Sequence, residues 1–299
     1  MKLNSLSIKD KVVFNEFLGL NRRELSVYAF ENIYIWKGLF DIYWKIIENN
    51  LCVFFRDPLG CFLYLPPLGE NINPQVVEEA FRIMDNFNKN KEVSRIENIE
   101  QEEARFYKKL GYSICKKSED YICKRTDLAG LRGNKFKHKR ACCNYFVKHY
   151  DFQYRDFMPK HKKGCLELYD SWAKDRQADN PDHIYQCMMQ DSRKSLKNAL
   201  EGYQGLDLVG RLVEVDGKIK AFTFGFKLNQ ETFCILFEIT DLSMKGLSQF
   251  IFSRFCSELE GYQFINIMDD SGLDNLKKVK LSYHPVKTAA AYIAKRVNE

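Results

Sequence analysis

The sequence predicts a mixed α/β protein built from two similar units, and three observations lead to this prediction. With 299 residues, the chain reaches the size at which single hydrophobic cores stop growing, roughly 250 to 300 residues. Helical and strand patterns recur in the same order in both halves, although no sequence repeat is visible. Two strands near the C-terminus end in acids and amides, which predicts a ligand site at the carboxyl edge of a sheet.

Composition narrows the class of protein. A hydrophobic share of 45% and an aromatic share of 14% suffice for packed cores, so disorder is not expected. No apolar run approaches the roughly 20 residues of a membrane span, and the first residues lack a signal core. We therefore expect a soluble, cytoplasmic protein. The net charge of +6 is mild, whereas residues 132–140 form a basic cluster that is able to attract polyanions.

The cysteines and histidines give no metal pattern. The ten cysteines are scattered with no C-x-x-C pair, and the five histidines lack H-x-x-x-H or H-x-H spacing. Reduced thiols and no metal site are expected. The vicinal pair Cys142 and Cys143 is interpreted as packing, because neither has a histidine in a clear base position.

The first half begins with a helical pattern over residues 10–30. Alternating aromatic and aliphatic residues over 28–36 predict a strand. Two apolar runs, 51–55 and 61–65, flank Asp57-Pro-Leu-Gly60 and predict a hairpin, since this tetrapeptide is a turn signal.

A helix, a strand, a second helix and a further hairpin complete the first half. Apolar residues recur at helical spacing from Val76, and Pro74 favours a helix start. A strand over 93–99 leads into a helix from Glu102 that Gly111 ends. Residues 113–124 predict a hairpin about Lys117-Ser118-Glu119.

The second half repeats this order after a basic connecting helix over 128–150. Helices are predicted over 164–178 and 183–202, and a hairpin turns at Asp216-Gly217. Residues 232–285 then read as strand, helix, strand and helix.

One motif in the first half resembles a known superfamily. The helix Glu103–Tyr112 ends in Y-x-x-L-G-Y before a strand, and this is similar to the last motif of the GNAT acyltransferases. The resemblance implies two tandem GNAT-like (acyl-CoA N-acyltransferase) domains with mixed sheets. We assign them to residues 1–127 and 159–299, with a basic connecting helix over 128–158.

A GNAT enzyme binds the coenzyme A pyrophosphate on a Q/R-x-x-G-x-G/A loop at a helix start. The corresponding stretch, Ser243–Ser248, keeps Gly246 and a small residue, Ser248, but lacks the first position. Lys245 is able to compensate by charge. The other interpretation is that Gly246 permits a turn and Ser248 caps the helix.

A more specific resemblance covers nearly the whole chain. Four stretches, 136–146, 237–241, 265–273 and 280–285, as a set resemble soluble relatives of the phosphatidylglycerol lysyltransferase C-terminal domain. This family is a domain of unknown function built from two GNAT units. It implies kinship with enzymes that move an aminoacyl group from a charged tRNA to a lipid or a peptidoglycan precursor. For this chain, the acceptor is an unknown amine or hydroxyl.

Such a reaction needs oxyanion stabilisation and a proton acceptor but no protein nucleophile. Candidates for catalysis are Asp241, Lys280 and Glu238. Candidates for substrate binding are Asn266, Asp269, Tyr283, Gly246 and Ser248. Candidates for nucleic-acid or anion binding are Lys139, Arg140, Asn144 and Lys137.

Each assignment has a structural alternative. The acids that follow the second strand of residues 232–285 are able to cap a helix. Tyr283 is able to fill a core, and the basic cluster over 132–140 is able to form a solvated helix face. The functional hypothesis requires that Asp241, Asn266, Asp269 and Lys280 converge on one water-accessible hollow with a positively charged rim.

Three functions stay open at this point. The first is an aminoacyl-tRNA-dependent transferase, with the charged tRNA as donor and no resident cofactor. The second is a coenzyme A dependent N-acyltransferase. The third is a non-catalytic module that binds an amino acid or RNA.

Overall fold

In the computed structural model, residues 2–179 and 182–297 are described, and they contain twelve strands and ten α-helices. The strands are β1 Asn4–Ser5, β2 Asp41–Ile47, β3 Asn50–Asp57, β4 Gly60–Leu63, β5 Arg95–Glu100, β6 Ser113–Lys124, β7 Gln153–Asp156, β8 Val209–Val215, β9 Lys218–Lys227, β10 Thr232–Thr240, β11 Phe264–Asn266 and β12 Lys287–Lys295. The helices are α1 Lys11–Leu18, α2 Phe30–Tyr34, α3 Pro74–Phe87, α4 Gln101–Lys109, α5 Arg125–Gly130, α6 Lys137–His149, α7 Lys162–Asp179, α8 His183–Gly202, α9 Leu247–Glu258 and α10 Asp274–Leu281.

These elements form two compact units. Among the described residues, unit 1 contains 2–121, 269–277 and 288–297, and unit 2 contains the rest. This division differs from the predicted domain ranges, since residues 122–127 belong to unit 2 and residues 269–277 belong to unit 1. The predicted connector, residues 128–158, lies within unit 2, and the C-terminal strand β12 contributes to unit 1.

Unit 1 is a twisted sheet with the strand order β1-β2-β3-β4-β5-β12-β6. Strands β2, β3 and β4 form an antiparallel meander, whereas β4 and β5 run parallel and pair at Leu63 and Ile96. Helix α3 packs on β3 and β4 and begins at Pro74. The Asn73 side chain caps this helix by accepting the Val76 N–H at 3.0 Å. The apolar residues of α3 are buried against the sheet.

Unit 2 has the strand order β6-β11-β10-β9-β8-β7, to which β6 contributes its last residues. Strands β10 and β11 are parallel, and the other pairs are antiparallel. The residues alternate between the two faces of this sheet, as strand geometry requires.

The two faces of the unit 2 sheet carry different helices. On one face, Phe222, Phe224 and Ile239 pack with buried residues of α7 and α8. On the other face, Ala221 and Val213 pack with α6 and α9 through Phe146, Leu247 and Ile251. The face that carries α6 and α9 is called the α9 face below.

The structure confirms most of the predicted elements. The hairpins β3–β4 and β8–β9, helices α3, α4, α7, α8, α9 and α10, and strands β5, β10 and β11 lie where their patterns placed them. Helix α1 covers only residues 11–18 of the helical pattern over 10–30, and the helix predicted over 128–150 is divided between α5 and α6. Gly111, predicted to end α4, has a φ of 88°, a left-handed conformation that suits glycine.

The strand predicted over residues 28–36 is wrong, because this segment contains helix α2. Phe30 and Ile33 are fully buried, and Phe30 and Tyr34 place their ring centroids 5.7 Å apart. Aromatic residues four positions apart satisfy a strand alternation and a helical i, i+4 contact equally well. The alternation therefore did not distinguish the two structures.

The hairpin predicted within 113–124 is also wrong, since these residues form the single strand β6. The polar residues that suggested a turn are paired inside unit 1. Lys117 Nζ donates to Glu97 Oε2 at 2.6 Å and to Asn98 Oδ1 at 2.9 Å, and Lys116 pairs with Glu119. Strands β1, β2, β7 and β12 were not predicted.

Candidate active site

Strands β10 and β11 of unit 2 diverge after a short parallel pairing. They pair only from Thr232 with Phe264 to Cys234 with Asn266, and β10 then continues to Thr240. A register shift between Ile235 and Phe237 bends β10 at the start of this free stretch. Divergence of neighbouring strands opens the sheet edge where α/β proteins place their ligands.

Glu238 lies on this diverging part of β10. Its neighbours Phe237 and Ile239 pack toward α7 and α8, so strand alternation turns the Glu238 side chain toward the α9 face. The Oε2 atom is buried and has no hydrogen-bond partner among the described residues. Burial raises the pKa of Glu238 to about 8, and the nearby Lys280 and Lys139 offset only part of that effect.

Lys139 brings a cation to the same site from α6. Its Nζ donates to Ser282 Oγ at 2.8 Å and lies 3.6 Å from the centroid of the Tyr283 ring. Burial lowers the pKa of Lys139 below its ordinary value, although Cys142, Cys143 and Glu238 oppose this effect. An ammonium has three N–H donors, so Lys139 retains donor capacity after its bond to Ser282.

Lys280 binds the backbone just after the end of β11. Its Nζ donates to the backbone carbonyl of Ile267 and to that of Met268 at 3.3 Å. Asn266 is fully buried at the end of β11, and its Oδ1 accepts the Met268 N–H at 2.7 Å. Both side chains therefore hold the backbone of residues 266–268 in place beyond the strand.

Tyr283 lies between these cations and the core. It is 8% exposed, and its ring packs on Phe252 with centroids 4.6 Å apart. Burial raises the pKa of Tyr283 well above its ordinary value, and the nearby Glu238 adds to this effect. The phenol therefore stays protonated at neutral pH and is able to donate a hydrogen bond, while its ring also fills the core.

The predicted catalytic residues, all of them in unit 2, thus fall into two groups. Glu238 is influenced electrostatically by Lys139 and Lys280 and itself influences Tyr283, whose ring Lys139 contacts. Asp241 makes other contacts, because its Oδ2 accepts from Lys220 Nζ at 2.7 Å and its Oδ1 accepts from Ser243. Burial opposes ionisation of Asp241, but these hydrogen bonds outweigh it and hold the pKa below its usual value.

The loop predicted to cradle a pyrophosphate contacts α6. Gly246 has a φ of 85° at the start of α9, and a Cβ atom there would lie 2.0 Å from the Cys142 carbonyl oxygen. The close approach of α6 explains this glycine without a ligand. Ser248 is half-buried in the first turn of α9, and Lys245 Nζ lies 4.6 Å from the Tyr145 ring centroid.

The predicted anion-binding residues point in different directions. Lys137 and Asn144 are exposed on α6. Arg140 Nη1 donates to the carbonyl of Leu131 and to that of Gly133 at 3.3 Å, and so stabilises the loop before α6. Lys139 faces the site. Asp269, the remaining candidate, is half-buried and belongs to unit 1.

Two residues near this site were not found from the sequence. Ser282 accepts from Lys139, and Thr223 pairs with Glu238 across β9 and β10. Thr223 is the hydroxyl residue in the run Ala221-Phe-Thr-Phe-Gly-Phe226. Strand alternation places its side chain on the face of the sheet that the phenylalanines do not occupy. A single hydroxyl residue in an otherwise apolar strand was the feature of the sequence that could have indicated Thr223. No cluster of three metal-ligating side chains occurs within 2–179 and 182–297.

The fold and the family match define the class of protein. The chain has the architecture of tandem GNAT acyltransferases, because it aligns with a tandem GNAT protein from the clavulanic acid biosynthesis pathway at a TM-score of 0.52 and 7% identity, covering 100% of this chain and 99% of that one. A sequence model of the family "Phosphatidylglycerol lysyltransferase, C-terminal" matches residues 20–295. The chain belongs to this family.

Two solved structures are more similar. A conserved protein of unknown function from Bacteroides thetaiotaomicron VPI-5482 is 28% identical, with a TM-score of 0.88 over 99% of this chain and 100% of that one. The L-PGS structure from Bacillus licheniformis is 17% identical, with a TM-score of 0.69 over 99% and 94%. A search of curated proteins found no match. Family and fold together support an acyltransferase of the lysyl-phosphatidylglycerol synthase and GNAT type.

No candidate membrane span was found among the helices of residues 2–179 and 182–297.

Proposed function

We propose that this protein transfers an aminoacyl group from a charged tRNA to an amine or hydroxyl acceptor, and that the reaction takes place in unit 2. The family name denotes a lysyltransferase, which supports an aminoacyl group as the cargo. The exposed basic residues of α6, Lys137 and Lys148, lie on the helix that supplies Lys139 and offer charge for an anionic donor.

One observation carries this proposal. Glu238 is a carboxyl group on a diverging strand, its Oε2 atom is buried without a partner among the described residues, and the charges of Lys139 and Lys280 favour its ionised form. An unsatisfied buried carboxyl oxygen costs stability, and active sites are where such costs are usually retained. With a pKa of about 8, Glu238 is close to the ideal for a general base near neutral pH.

The chemistry follows from these positions. The acceptor nitrogen or oxygen attacks the ester carbonyl carbon of the aminoacyl-tRNA, and Glu238 accepts the proton that the acceptor loses. Lys139 donates an N–H to the carbonyl oxygen as negative charge develops on it. The bond between the carbonyl carbon and the ribose oxygen then breaks, and the ribose oxygen takes up the proton that Glu238 accepted. Lys280 and Tyr283 hold the strand end and the Lys139 side chain in place.

The experiment compares donors and tests Glu238 directly. Purified protein is incubated with tRNA charged with labelled amino acids or with labelled acetyl-coenzyme A, together with a set of amines and hydroxyl compounds. We expect transfer from charged tRNA that weakens as salt rises, because phosphate contacts release counterions. Glu238→Gln should lower the rate by about 10²- to 10⁴-fold, the usual contribution of a general base.

Glu260→Gln is the matched control, since Glu260 is an exposed glutamate just after α9. It should transfer at the wild-type rate. Equal rates for Glu238→Gln and the wild type would contradict the role of Glu238. Transfer from acetyl-coenzyme A alone would instead support the coenzyme A dependent alternative, and ligand binding without turnover would support a binding module.

A further inference from the structure

Thr223 is a buried hydroxyl residue with no obvious structural use. It is 0% exposed in the middle of β9, and its Oγ1 atom has no hydrogen-bond partner among the described residues. Its neighbours Phe222 and Phe224 pack toward α7 and α8, so its own side chain turns to the α9 face.

Valine has nearly the same shape as threonine and would suit this position better for stability alone. Burying a hydroxyl without a partner costs about as much as losing a hydrogen bond, whereas a methyl group has no such cost. Strand propensity does not explain the choice either, because threonine and valine are both β-branched and common in strands. The hydroxyl therefore points to a use that the resting protein does not satisfy.

The position of Thr223 identifies that use. Thr223 is the cross-strand partner of Glu238, and directly opposed residues in an antiparallel pair have their side chains on the same face. Glu238 Oε2 and Thr223 Oγ1 are thus two buried oxygen atoms at one paired position, and neither has a hydrogen-bond partner in the described part of the chain. Lys139 from α6 and Lys280 from α10 favour the ionised form of Glu238, and Glu238 in turn raises the pKa of Cys256 from α9 and of Tyr283 after α10.

We propose that Thr223 is a positioning residue for Glu238 and donates its hydroxyl hydrogen to the ionised carboxylate during transfer. This inference rests on the proposed function of Glu238 as the proton acceptor. A hydrogen bond to the charged form of a carboxyl group favours that form. Thr223 therefore makes Glu238 easier to ionise and fixes the direction from which it receives the proton.

The test measures the titration of Glu238 in the resting protein. Carboxyl carbon-13 signals are recorded across pH in protein labelled at glutamate, and the Glu238 signal is assigned by its absence in Glu238→Gln. Thr223→Val should raise the pKa of Glu238 by about one unit and lower kcat/KM at pH 7 about tenfold. Thr223→Ser keeps the hydroxyl and should titrate close to the wild type.

The control is Thr232→Val, which removes a hydroxyl from a 4% exposed threonine at the start of β10. A Glu238 pKa that is the same in Thr223→Val and the wild type, or that shifts equally in Thr232→Val, would overturn the inference. Should Thr223→Val fail to fold, Thr223→Ala repeats the measurement.

This titration needs no substrate, so the two proposals fail separately. If Thr223→Val shifts the pKa of Glu238 while Glu238→Gln leaves transfer intact, the proposed role of Glu238 as proton acceptor is wrong and the pairing of Thr223 with Glu238 stands. If Glu238→Gln abolishes transfer while Thr223→Val leaves the titration unchanged, only the inference about Thr223 is wrong.

Discussion

At the scale of single residues, Glu238 is an acid whose burial is only partly compensated by its surroundings. The side chain is half-buried, its Oε2 atom has no partner among the described residues, and the two lysines nearby compensate only part of the cost of burial. Asp241, three residues later, has the opposite environment, since Lys220 and Ser243 stabilise its charged form. The pKa values of these two neighbouring acids are thus shifted in opposite directions, because only Asp241 is stabilised by hydrogen bonds to its charged form.

The raised pKa of Glu238 predicts a pH dependence of stability. The folded protein holds the Glu238 proton up to a pH of about 8, whereas the unfolded chain releases it near the ordinary value of 4.5. Because the folded state binds more protons in this window, its free energy of unfolding falls as pH rises through it. The slope from this residue is at most about 1.4 kcal/mol per pH unit.

Urea unfolding of the wild type and Glu238→Gln between pH 5 and 8.5 measures this effect. Glutamine cannot ionise, so the variant should gain stability relative to the wild type as pH rises. A difference between the two proteins that stays constant over this range would show that Glu238 ionises normally in the folded state.

Among the elements, α9 depends on one glycine where it meets α6. Gly246 adopts a left-handed φ of 85°, and α6 approaches it so closely that a Cβ atom would lie 2.0 Å from the Cys142 carbonyl oxygen. Gly246→Ala should therefore reduce the free energy of unfolding by about 2 to 4 kcal/mol, from backbone strain and overpacking together. Chemical denaturation measures the loss.

Gly261→Ala is the control for this prediction, because nothing lies within 4 Å of its added Cβ atom. Its effect should stay within about 0.5 kcal/mol, as for most surface substitutions. Similar stabilities for the two variants would mean that α6 moves aside easily, and Gly246 would then have room for a ligand.

The elements also show how far the sequence alone leads. Helix α3 was predictable because Pro74, the Asn73 cap and a regular apolar stripe all indicate the same structure. Helix α2 was not, since Phe30 and Tyr34 fit two periodicities. Strand β6 was divided in error because Lys117 carries a charge that only its tertiary partner Glu97 makes compatible with a strand.

The candidate site was predictable in part for a similar reason. Polar residues at the ends of β10 and β11 pointed to the correct part of unit 2, because strand ends expose such groups to a sheet edge. Which acid faces the lysines depends on the register shift in β10, and a single sequence gives no sign of that shift. Thr223 was missed because its partner Glu238 lies on another strand.

On the scale of the whole molecule, the chain returns to unit 1 after unit 2 is complete. Residues 288–297 carry β12, which pairs antiparallel with β5 and stands next to β6 in the strand order of unit 1. A fragment that ends at residue 127, the predicted domain boundary, would lack this strand and leave the hydrogen-bonding groups of β5 exposed. Unpaired strand edges of this kind favour aggregation.

A substitution in β12 should therefore destabilise unit 1 although it lies near the C-terminus. Ala294 is 0% exposed and pairs with Ile96 of β5, so Ala294→Asp would bury an unpaired charge at a cost of about 3 to 5 kcal/mol. Val297→Asp introduces the same charge at a 64% exposed position just after this strand and should change stability little. Hydrogen exchange of the β5 amides, together with urea unfolding, measures both variants. Equal protection of β5 in the two would mean that unit 1 holds together without β12, since a strand that completes a sheet cannot take up a buried charge and leave its neighbour unaffected.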